Sequence, residues 1–475
     1  MTSKCYYITT TVPYVNGSPH IGHALEFVQA DALARLYKSQ GHTVTLQTGT
    51  DDNAIKNVQS AREAGVEPKE FVDRNSEKFV ELCEALSVSY DCFIRTSDPI
   101  HAKGVHEFWK RLNADDLYKK KYCGLYCYGC EDFYKEDDLS DGLCPDHQKK
   151  PKLVEEENYF FRLSNYQQSL EELIESDRLL IEPATRKAEV LSFIRQGLTD
   201  ISVSRHKNRT DGWGVSVPES EDQVIYVWID ALINYLTGQG FGQGECWENI
   251  WNGETTKIHC VGKNVWKFHA IYWPALLLSA GLPLPDRIYV HGFLSEEGQR
   301  ISKTLGFKYD PLALVNQYGS DPVRFYLLQG FSSFSDGDFT LSGLALVNNN
   351  FLANGIGNLL SRLWKLREKA GLSTFVPSQT QELICKHSFR FNLQIQELWK
   401  RIDKVNAEIN DTKPWESLKS GATEKVKLKL QGWISELIEI GRLAEPYIPQ
   451  ASKQIVDLSG KEFEETTVPH LFKRI

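Results

Sequence analysis

The amino-acid sequence predicts an α/β fold in which one parallel β-sheet is split by an inserted domain and followed by an all-α helical bundle. Three observations predict it. A strand–helix–strand pattern opens the chain, similar signals return after a cysteine-rich stretch, and strand signals disappear from about residue 346 onward. The chain has 475 residues, of which 41% are hydrophobic, so it is long enough to bury several cores.

The opening unit is read from three neighbouring segments. Residues 5–12 are rich in aromatic and β-branched side chains and end at Pro13, which predicts a buried strand followed by a loop. Residues 24–40 repeat apolar side chains at helical spacing and stop at Gly41. Residues 42–48 predict a second strand. Because a helix that crosses between two strands makes them parallel, the unit predicts a parallel sheet.

The second half of the sheet is predicted from residues 257–261 and 287–290, which flank a helix at about 268–280. The halves are separated by an insertion with strand-like pieces such as residues 158–163, which we expect over the carboxyl ends of the sheet strands. Breaks in the final helices are expected near residues 371–374 and 446–449. The predicted domains are 1–115 (first half of the sheet domain), 116–212 (insertion), 213–295 (second half), 296–345 (a mobile-loop region) and 346–475 (helical bundle).

The composition excludes some classes of protein and leaves others open. No run of about 18 apolar residues occurs, and the start of the chain lacks the pattern of a cleavable signal. The net charge of -9 argues against a general nucleic-acid binder. Residues 361–475 nevertheless carry 19 Lys and Arg against 15 Asp and Glu, which is compatible with local RNA binding and with a solvated helical face. We expect a cytoplasmic monomer, since no membrane segment or dimerising module is visible.

A histidine motif lies between the first strand and its helix. There His20 and His23 flank Gly22. Backbone N–H groups and the helix dipole at such a position attract phosphate, and two imidazoles three residues apart can face one triphosphate. Taken alone, a His-x-x-His pair is also common on protein surfaces and in cores, so its place between strand and helix is what predicts a nucleotide site.

A basic loop follows the last predicted sheet strand. It is bounded by Gly298 and Gly306 and contains Arg300, Ser302 and Lys303. A lysine flanked by hydroxyl groups suits a mobile loop that closes on a leaving pyrophosphate and neutralises charge in the transition state. In isolation the same residues describe an ordinary basic turn.

The cysteines of the insertion have the spacing of metal ligands. Two close pairs, Cys127 with Cys130 and Cys144 with His147, supply four soft or imidazole donors for a tetrahedral Zn²⁺. Because no coordination position stays open, the predicted site is structural. Free thiols in a reducing compartment are the alternative, since ten cysteines in a chain of this length do not indicate a disulfide framework.

The paired histidine and basic-loop motifs resemble the two signatures of class I aminoacyl-tRNA synthetases, in the same order and the same predicted context. Residues 49–51, 226–232, 268–274 and 318–324 narrow the resemblance to the methionyl-tRNA synthetase family. The resemblance implies a Rossmann-like sheet split by a zinc-knuckle insertion and an anticodon-binding helical bundle. It implies that ATP, with Mg²⁺, activates methionine to methionyl-adenylate, which is transferred to the 3′ end of tRNA(Met).

The resemblance also implies roles for individual residues. His20, His23, Arg300, Ser302 and Lys303 fall at catalytic positions, and Asp51 falls where the family binds the α-ammonium group. The methionine pocket falls on Val12, Tyr14, Trp228, Ala231, Leu232, Tyr235, Val265, His269 and Trp273. ATP contacts fall on His20, Gly22, His23, Gly262, Asn264, His291, Gly292 and Lys303. An apolar aromatic pocket suits a thioether, and plain core packing of the tryptophans and tyrosines is the lesser alternative from pattern alone.

In the helical bundle, Asn358, Arg362 and Trp415 fall where the family reads the anticodon, although pattern alone favours a helix cap and a packed tryptophan. The chain departs from the family by Asn53 and Ala54 in place of the usual His and Gly, and by Asn264 in place of a carboxylate. These departures motivate two alternatives: a paralogue with another amino acid or acceptor, and a catalytically silent tRNA-binding protein. A zinc-finger DNA regulator is a weaker third, because no recognition helix is predicted.

Overall fold

A computed structural model describes residues 3–127, 132–145, 148–244, 247–251, 254–301, 308–372, 389–458 and 470–475. The chain forms two compact units. The first unit comprises Met1–Pro19, Thr43–Glu81 and Tyr90–Val290, and the second comprises His20–His42, Leu82–Ser89 and His291–Ile475. Within the described ranges, no helix is long and apolar enough to span a membrane.

The strands among the described residues are, in chain order, β1 (Cys5–Thr9), β2 (Thr43–Thr50), β3 (Cys92–Arg95), β4 (Leu117–Cys127), β5 (Asp132–Tyr134), β6 (Lys152–Phe161), β7 (Leu180–Glu182), β8 (Ile201–Ser202), β9 (Ser204–His206), β10 (Gln223–Ile225), β11 (Thr256–Gly262), β12 (Arg287–His291), β13 (Leu294–Glu296), β14 (Gln299–Arg300) and β15 (Gly337–Phe339).

The α-helices in the same ranges are α1 (Ile21–Ser39), α2 (Ile55–Glu63), α3 (Pro68–Ala85), α4 (Pro99–Arg111), α5 (Gln167–Glu175), α6 (Ala184–Arg195), α7 (Val227–Leu232), α8 (Asn234–Thr237), α9 (Trp247–Trp251), α10 (Trp273–Ser279), α11 (Pro311–Tyr318), α12 (Ser320–Gln329), α13 (Leu341–Val347), α14 (Asn358–Ala370), α15 (Phe391–Thr412), α16 (Pro414–Lys419), α17 (Thr423–Leu443) and α18 (Pro449–Asp457). Two π-helical segments, Phe268–Tyr272 and Asn348–Gly357, lead into α10 and α14.

The first unit is organised by a six-stranded sheet in the order β3-β2-β1-β11-β12-β7. Strand β1 is central and pairs in parallel with β2 and β11, so that Ile8 lies opposite Leu46 and Ile258. All three side chains are buried, as expected where helices cover both faces of a parallel sheet. The predicted parallel α/β sheet, with its strand–helix–strand opening and its return after the insertion, is therefore confirmed.

Close approach of β2 and β3 depends on a glycine. A Cβ atom at Gly49 would lie 2.0 Å from the Ile94 carbonyl oxygen, so no larger residue fits there without moving β3. Two residues later, Asp51 extends the pairing beyond the end of β2 through a parallel bridge to Tyr14. This places the Asp51 carboxylate at the carboxyl end of the central strands, where open α/β sheets bind ligands.

The insertion contains a four-stranded sheet in the order β5-β4-β6-β8. The antiparallel pair β4–β6 runs from Leu117 opposite Phe161 to Tyr126 opposite Lys152. Between β6 and β8 the chain adds a strand to the main sheet, because β7 pairs in parallel with β12 at its edge. Sequence reasoning did not predict this sixth strand, since three residues between two helices carry little periodic signal.

The second unit is predominantly helical, as predicted for the end of the chain. Its buried Arg324 on α12 donates to the Asp31 carboxylate at 2.6 Å and to the carbonyl oxygens of Leu86 and Pro446, both at 2.9 Å. The predicted breaks are present: α14 ends at Ala370 and is capped by Gly371 in the left-handed conformation with φ 61°, and Pro449 is the first residue of α18.

Candidate active site

The two motif histidines stack at the N-terminus of α1. Their ring centroids are 3.7 Å apart and the rings are 16° from parallel. The Gly22 N–H donates to His20 Nδ1 and the His20 N–H donates to His23 Nδ1, both at 3.1 Å, so the pair forms a reciprocal cap of the helix. Because both Nδ1 atoms accept hydrogen bonds, the ring hydrogen resides on Nε2 of each histidine. Two N–H donors at a helix N-terminus suit an anion.

Gly22 has a steric reason to be glycine. A Cβ atom at this position would lie 3.0 Å from Cε1 and 3.1 Å from Nδ1 of His20, which is tighter than an ordinary contact. A larger residue would therefore displace the imidazole that caps the helix. The close approach of a nucleotide predicted from the sequence is a separate requirement on the same residue.

The same helix engages a third histidine. His291, at the end of β12, lies with Nε2 2.8 Å from Glu26 Oε2 and with Nδ1 2.8 Å from the Gly292 carbonyl oxygen. Gly292 lies against the backbone, since a Cβ atom there would be 2.1 Å from the Ser335 oxygen. Sequence reasoning did not single out Glu26, although an acidic residue within an otherwise apolar stretch of a helix is a signal that could have found it.

In the first unit, six side chains form a cluster that we term the aromatic cluster: Tyr14, Trp228, Tyr235, Phe268, His269 and Trp273. Trp228 stacks on Phe268 with centroids 3.9 Å apart and also approaches Tyr14, whereas Trp273 is fully buried. Of the other residues predicted for the methionine pocket, Ala231, Leu232 and Val265 are buried and Val12 is half-buried. Phe268 was not among the predicted pocket residues, since the sequence pattern did not distinguish it from an ordinary core residue, and the structure places it against Trp228.

A hydrogen-bonded pair gives the cluster a polar wall. His269 Nδ1 lies 2.9 Å from the Val265 carbonyl oxygen and therefore carries the hydrogen, so Nε2 accepts from the Tyr235 hydroxyl at 2.8 Å. The indole N–H groups of Trp228 and Trp273 are also buried, and neither has a hydrogen-bond partner within the described part of the chain. Buried indole N–H groups usually find a partner, so these two indicate a surface that receives a ligand.

A fifth histidine, not predicted from the sequence, lies beside this wall. His259 on β11 is fully buried, with Nδ1 2.7 Å from the Thr9 hydroxyl and its ring 4.2 Å from that of Tyr235. Burial lowers the pKa of His259 well below its usual value, and the nearby His269 and Lys257 lower it further. The imidazole is therefore neutral in the folded protein.

The predicted ammonium-binding carboxylate is held by its neighbours. The Asp51 N–H donates to the Pro13 carbonyl at 2.9 Å. Asp51 Oδ1 accepts from the Asn53 N–H at 3.1 Å and from the Thr96 hydroxyl at 3.2 Å. The carboxylate is 1% exposed, and charge-assisted hydrogen bonds of this kind fix its orientation. Thr96 was not predicted, since nothing in its local sequence distinguishes it.

The remaining predicted site residues are divided between the described and undescribed parts of the chain. Gly262 ends β11 and is buried, and Asn264 is exposed two residues later. Arg300 belongs to the short strand β14, but its side chain lies outside the described residues, as do Ser302 and Lys303.

Two of the four predicted metal ligands are described. Cys127 ends β4 and is 3% exposed, and Cys144 is 0% exposed in a turn where the Gln148 N–H donates to its carbonyl oxygen at 2.8 Å. One buried thiol at the end of a strand and another in a turn fit a structural zinc site. Cys130 and His147 lie outside the described residues, and the described residues alone contain no group of three or more metal-ligating side chains.

The three predicted RNA-reading residues lie on neighbouring helices of the second unit. Exposed Asn358 opens α14, and Arg362 follows one turn later, donating at 2.7 Å to Asn406 and to Asn410. Trp415 on α16 is 38% exposed, and α16 packs against α14. An exposed indole is not the packed tryptophan that pattern alone favoured, and its free face can stack on a base.

Comparison with known proteins gives the class of this protein. The sequence model of the family described as tRNA synthetases class I (M) matches residues 6–152 and 137–364, which covers most of the chain. The parallel sheet, the histidine pair on α1 and the helical end of the chain therefore belong to a class I aminoacyl-tRNA synthetase.

Individual relatives make the assignment specific. A methionine–tRNA ligase of Thermotoga maritima is 38% identical over 95% of this chain and 74% of its own length, and one of Brucella suis is 36% identical over 96% and 92%. The solved Mycobacterium tuberculosis methionyl-tRNA synthetase in complex with methionyl-adenylate has a TM-score of 0.89 and 35% identity, covering 97% of this chain and 95% of that chain. The chain belongs to the methionine–tRNA ligase family. These relatives favour methionine over the alternatives of another substrate or a silent protein.

Proposed function

We propose that this chain activates methionine with ATP to form methionyl-adenylate and transfers the methionyl group to the 3′ end of tRNA(Met). The observation that carries the proposal is the aromatic cluster with its Tyr235–His269 wall. Polarisable sulfur makes favourable contacts with ring edges, and the buried indole N–H groups provide donors toward the sulfur, which is a weak acceptor. Val12, Ala231, Leu232 and Val265 complete the apolar lining of the pocket in this proposal.

In the activation step, the methionine carboxylate attacks the α-phosphate of ATP in line and pyrophosphate leaves. Asp51 binds the α-ammonium group and so orients the carboxylate. The Nε2–H groups of His20 and His23 and the Lys303 ammonium group stabilise the charge that develops on the phosphates, with Ser302 and Arg300 of the same loop in support. Gly22, Gly262, Asn264, His291 and Gly292 complete the ATP site. Mg²⁺ that arrives with ATP neutralises part of the phosphate charge.

In the transfer step, a hydroxyl group of the terminal tRNA ribose attacks the adenylate carbonyl carbon and AMP leaves. Asn358, Arg362 and Trp415 read the unpaired anticodon bases through hydrogen bonds and stacking. The proposal includes one structural Zn²⁺ held by Cys127, Cys130, Cys144 and His147, which stabilises the insertion without contacting the reacting atoms. We further propose that the chain acts as a monomer in the cytoplasm, where translation uses the charged tRNA.

The test is pyrophosphate exchange with each proteinogenic amino acid in turn, followed by charging of purified tRNA. Methionine alone should support rapid exchange, and only tRNA(Met) should be charged. Tyr235→Phe should reduce the preference for methionine over norleucine, its isostere without sulfur, by about fivefold, since loss of a buried hydrogen bond costs about 1 kcal/mol. Tyr166→Phe, which removes a hydroxyl bonded to Asp116 in the same unit, is the matched control. Exchange with another amino acid in place of methionine would contradict the proposal.

A further inference from the structure

A buried amide joins the loop of Asp51 to the helix that carries part of the aromatic cluster. Asn53 Nδ2 donates to Asp230 Oδ2 at 2.7 Å and to the Thr96 carbonyl oxygen at 2.9 Å. The backbone N–H of the same residue donates to Asp51 Oδ1 at 3.1 Å. All of these groups belong to the first unit. One residue therefore bonds to three parts of the site at once.

Asp230, which accepts from the Asn53 side chain, is itself held in place by further hydrogen bonds. Asp230 is 1% exposed on α7, the helix that also carries Trp228 of the aromatic cluster. Its Oδ1 lies 3.0 Å from His101 Nε2, and His101 Nδ1 lies 2.7 Å from the Thr237 hydroxyl. Both oxygens of Asp230 thus have a partner. A displacement of α7 would break two buried hydrogen bonds, each costly to leave unmade.

The chemistry of position 53 favours an amide. An NH₂ group has two hydrogens and satisfies two acceptors at once, whereas an imidazole nitrogen carries only one. A carboxylate at this position would face the carboxylate of Asp230 and repel it. An alanine would leave the Asp230 oxygen and the Thr96 carbonyl buried without their donor.

We infer that Asn53 is a positioning residue that fixes the Asp51 carboxylate relative to α7, the helix that carries Trp228 of the aromatic cluster, and that it thereby sets the selectivity for substrates with an α-ammonium group. The inference rests on the proposed function, because it takes Asp51 as the group that binds the ammonium. The Asn53 side chain bonds to Asp230 on α7 and to the Thr96 carbonyl oxygen, and these bonds fix the backbone N–H that donates to Asp51 Oδ1. In the proposed mechanism Asn53 contacts none of the reacting atoms.

The test compares methionine with its 2-hydroxy analogue, which has the same carboxylate and thioether but lacks the ammonium group. Each is supplied with ATP in the exchange assay, and the kcat/KM for methionine divided by that for the analogue measures the contribution of the ammonium site. In Asn53→Ala this ratio should fall about tenfold, which corresponds to about 1.4 kcal/mol. The KM for methionine should rise, and the KM for ATP should stay within about twofold of wild type.

Two further variants make the test specific. Asn53→Ser keeps one donor, so its ratio should lie between those of wild type and Asn53→Ala, and it serves if the alanine variant does not fold. Asn158→Ala is the matched control, since Asn158 is a buried amide of the first unit that donates to Glu156 at 3.2 Å within the insertion. The control should leave the ratio unchanged even if it lowers both rates.

The outcomes separate the two claims. A wild-type chain that exchanges with an amino acid other than methionine contradicts the proposed function alone, and the ratio is then measured with that amino acid and its hydroxy analogue. A ratio that stays within twofold of wild type in both Asn53 variants overturns the positioning role and leaves the proposed function standing. Equal decreases in kcat/KM for methionine and for the analogue overturn the positioning role as well, because they indicate a general loss of folding.

Discussion

His20 and His23 lie face to face at the N-terminus of α1, and each uses Nδ1 to accept a backbone N–H. The arrangement combines two tasks that mutagenesis can separate. The Nδ1 atoms cap the helix, which stabilises the fold, and the Nε2–H groups provide donors for phosphate.

Replacing His20 with asparagine should separate these tasks. Asparagine is a preferred N-cap residue, so the helix keeps its cap, whereas the Nε2–H donor is lost. We expect the methionine-dependent pyrophosphate exchange rate to fall about 10²- to 10³-fold. The midpoint of urea unfolding should remain close to that of wild type. Thr340→Asn changes another N-cap of the second unit and should leave exchange intact. Normal exchange in His20→Asn would show that the histidine pair acts only as a cap.

The buried His259 should make the folded protein sensitive to acid. Because its pKa is lower in the folded than in the unfolded state, the unfolded chain binds more protons, and stability falls as the pH drops below the ordinary value of about 6.5. Above that pH the contribution is constant. The free energy of unfolding should decrease by up to about 1.4 kcal/mol per pH unit from this group.

The measurement is urea unfolding between pH 7.5 and about 5 for wild type and His259→Asn. Asparagine can form a hydrogen bond with the Thr9 hydroxyl in either direction but does not titrate, so the variant should lose part of the pH dependence. His470→Asn, at an exposed position of the second unit, is the control and should follow the wild-type curve. Parallel curves for wild type and His259→Asn would refute the assignment.

Zinc should be bound through the insertion and should stabilise it. We expect about one zinc ion per purified chain by elemental analysis, released by a strong chelator together with a fall in Tm. Cys144→Ser should abolish the metal content. Cys123→Ser changes an exposed cysteine of β4 in the insertion and should retain the metal. Full zinc content in Cys144→Ser would exclude that residue as a ligand.

Trp415 should contribute to tRNA recognition without contributing to activation. Removing a stacking surface typically costs about 1–3 kcal/mol per base. Trp415→Ala should therefore raise the KM for tRNA(Met) about 5- to 100-fold in charging assays, and the pyrophosphate exchange rate without tRNA should not change. Leu428→Ala, at a 73% exposed apolar position of the same unit, is the comparison variant and should charge normally. A loss of exchange in Trp415→Ala would point to misfolding instead.

The sequence by itself determined the parallel sheet, its strand–helix–strand opening and the helical end of the chain. Apolar periodicity and glycine or proline breaks are local signals, so they can be recognised from the sequence alone. It also determined the family, because the histidine motif and the basic loop occur in the family's order. The short strand β7 and the π-helical segment before α10 escaped prediction, since neither has a period that a short window can detect.

Only the tertiary structure decided which polar side chains act together. The donors to Asp51 come from Asn53, two residues away, and from Thr96, which follows a different strand. The tautomers of His20 and His269 follow from partners that the sequence does not specify. His259 and His269 are ten residues apart but have different partners: His259 lies beside the Thr9 hydroxyl, and His269 accepts from the Tyr235 hydroxyl. Residue type defines what a side chain can donate or accept, but the packing of distant strands and helices decides which partner it meets.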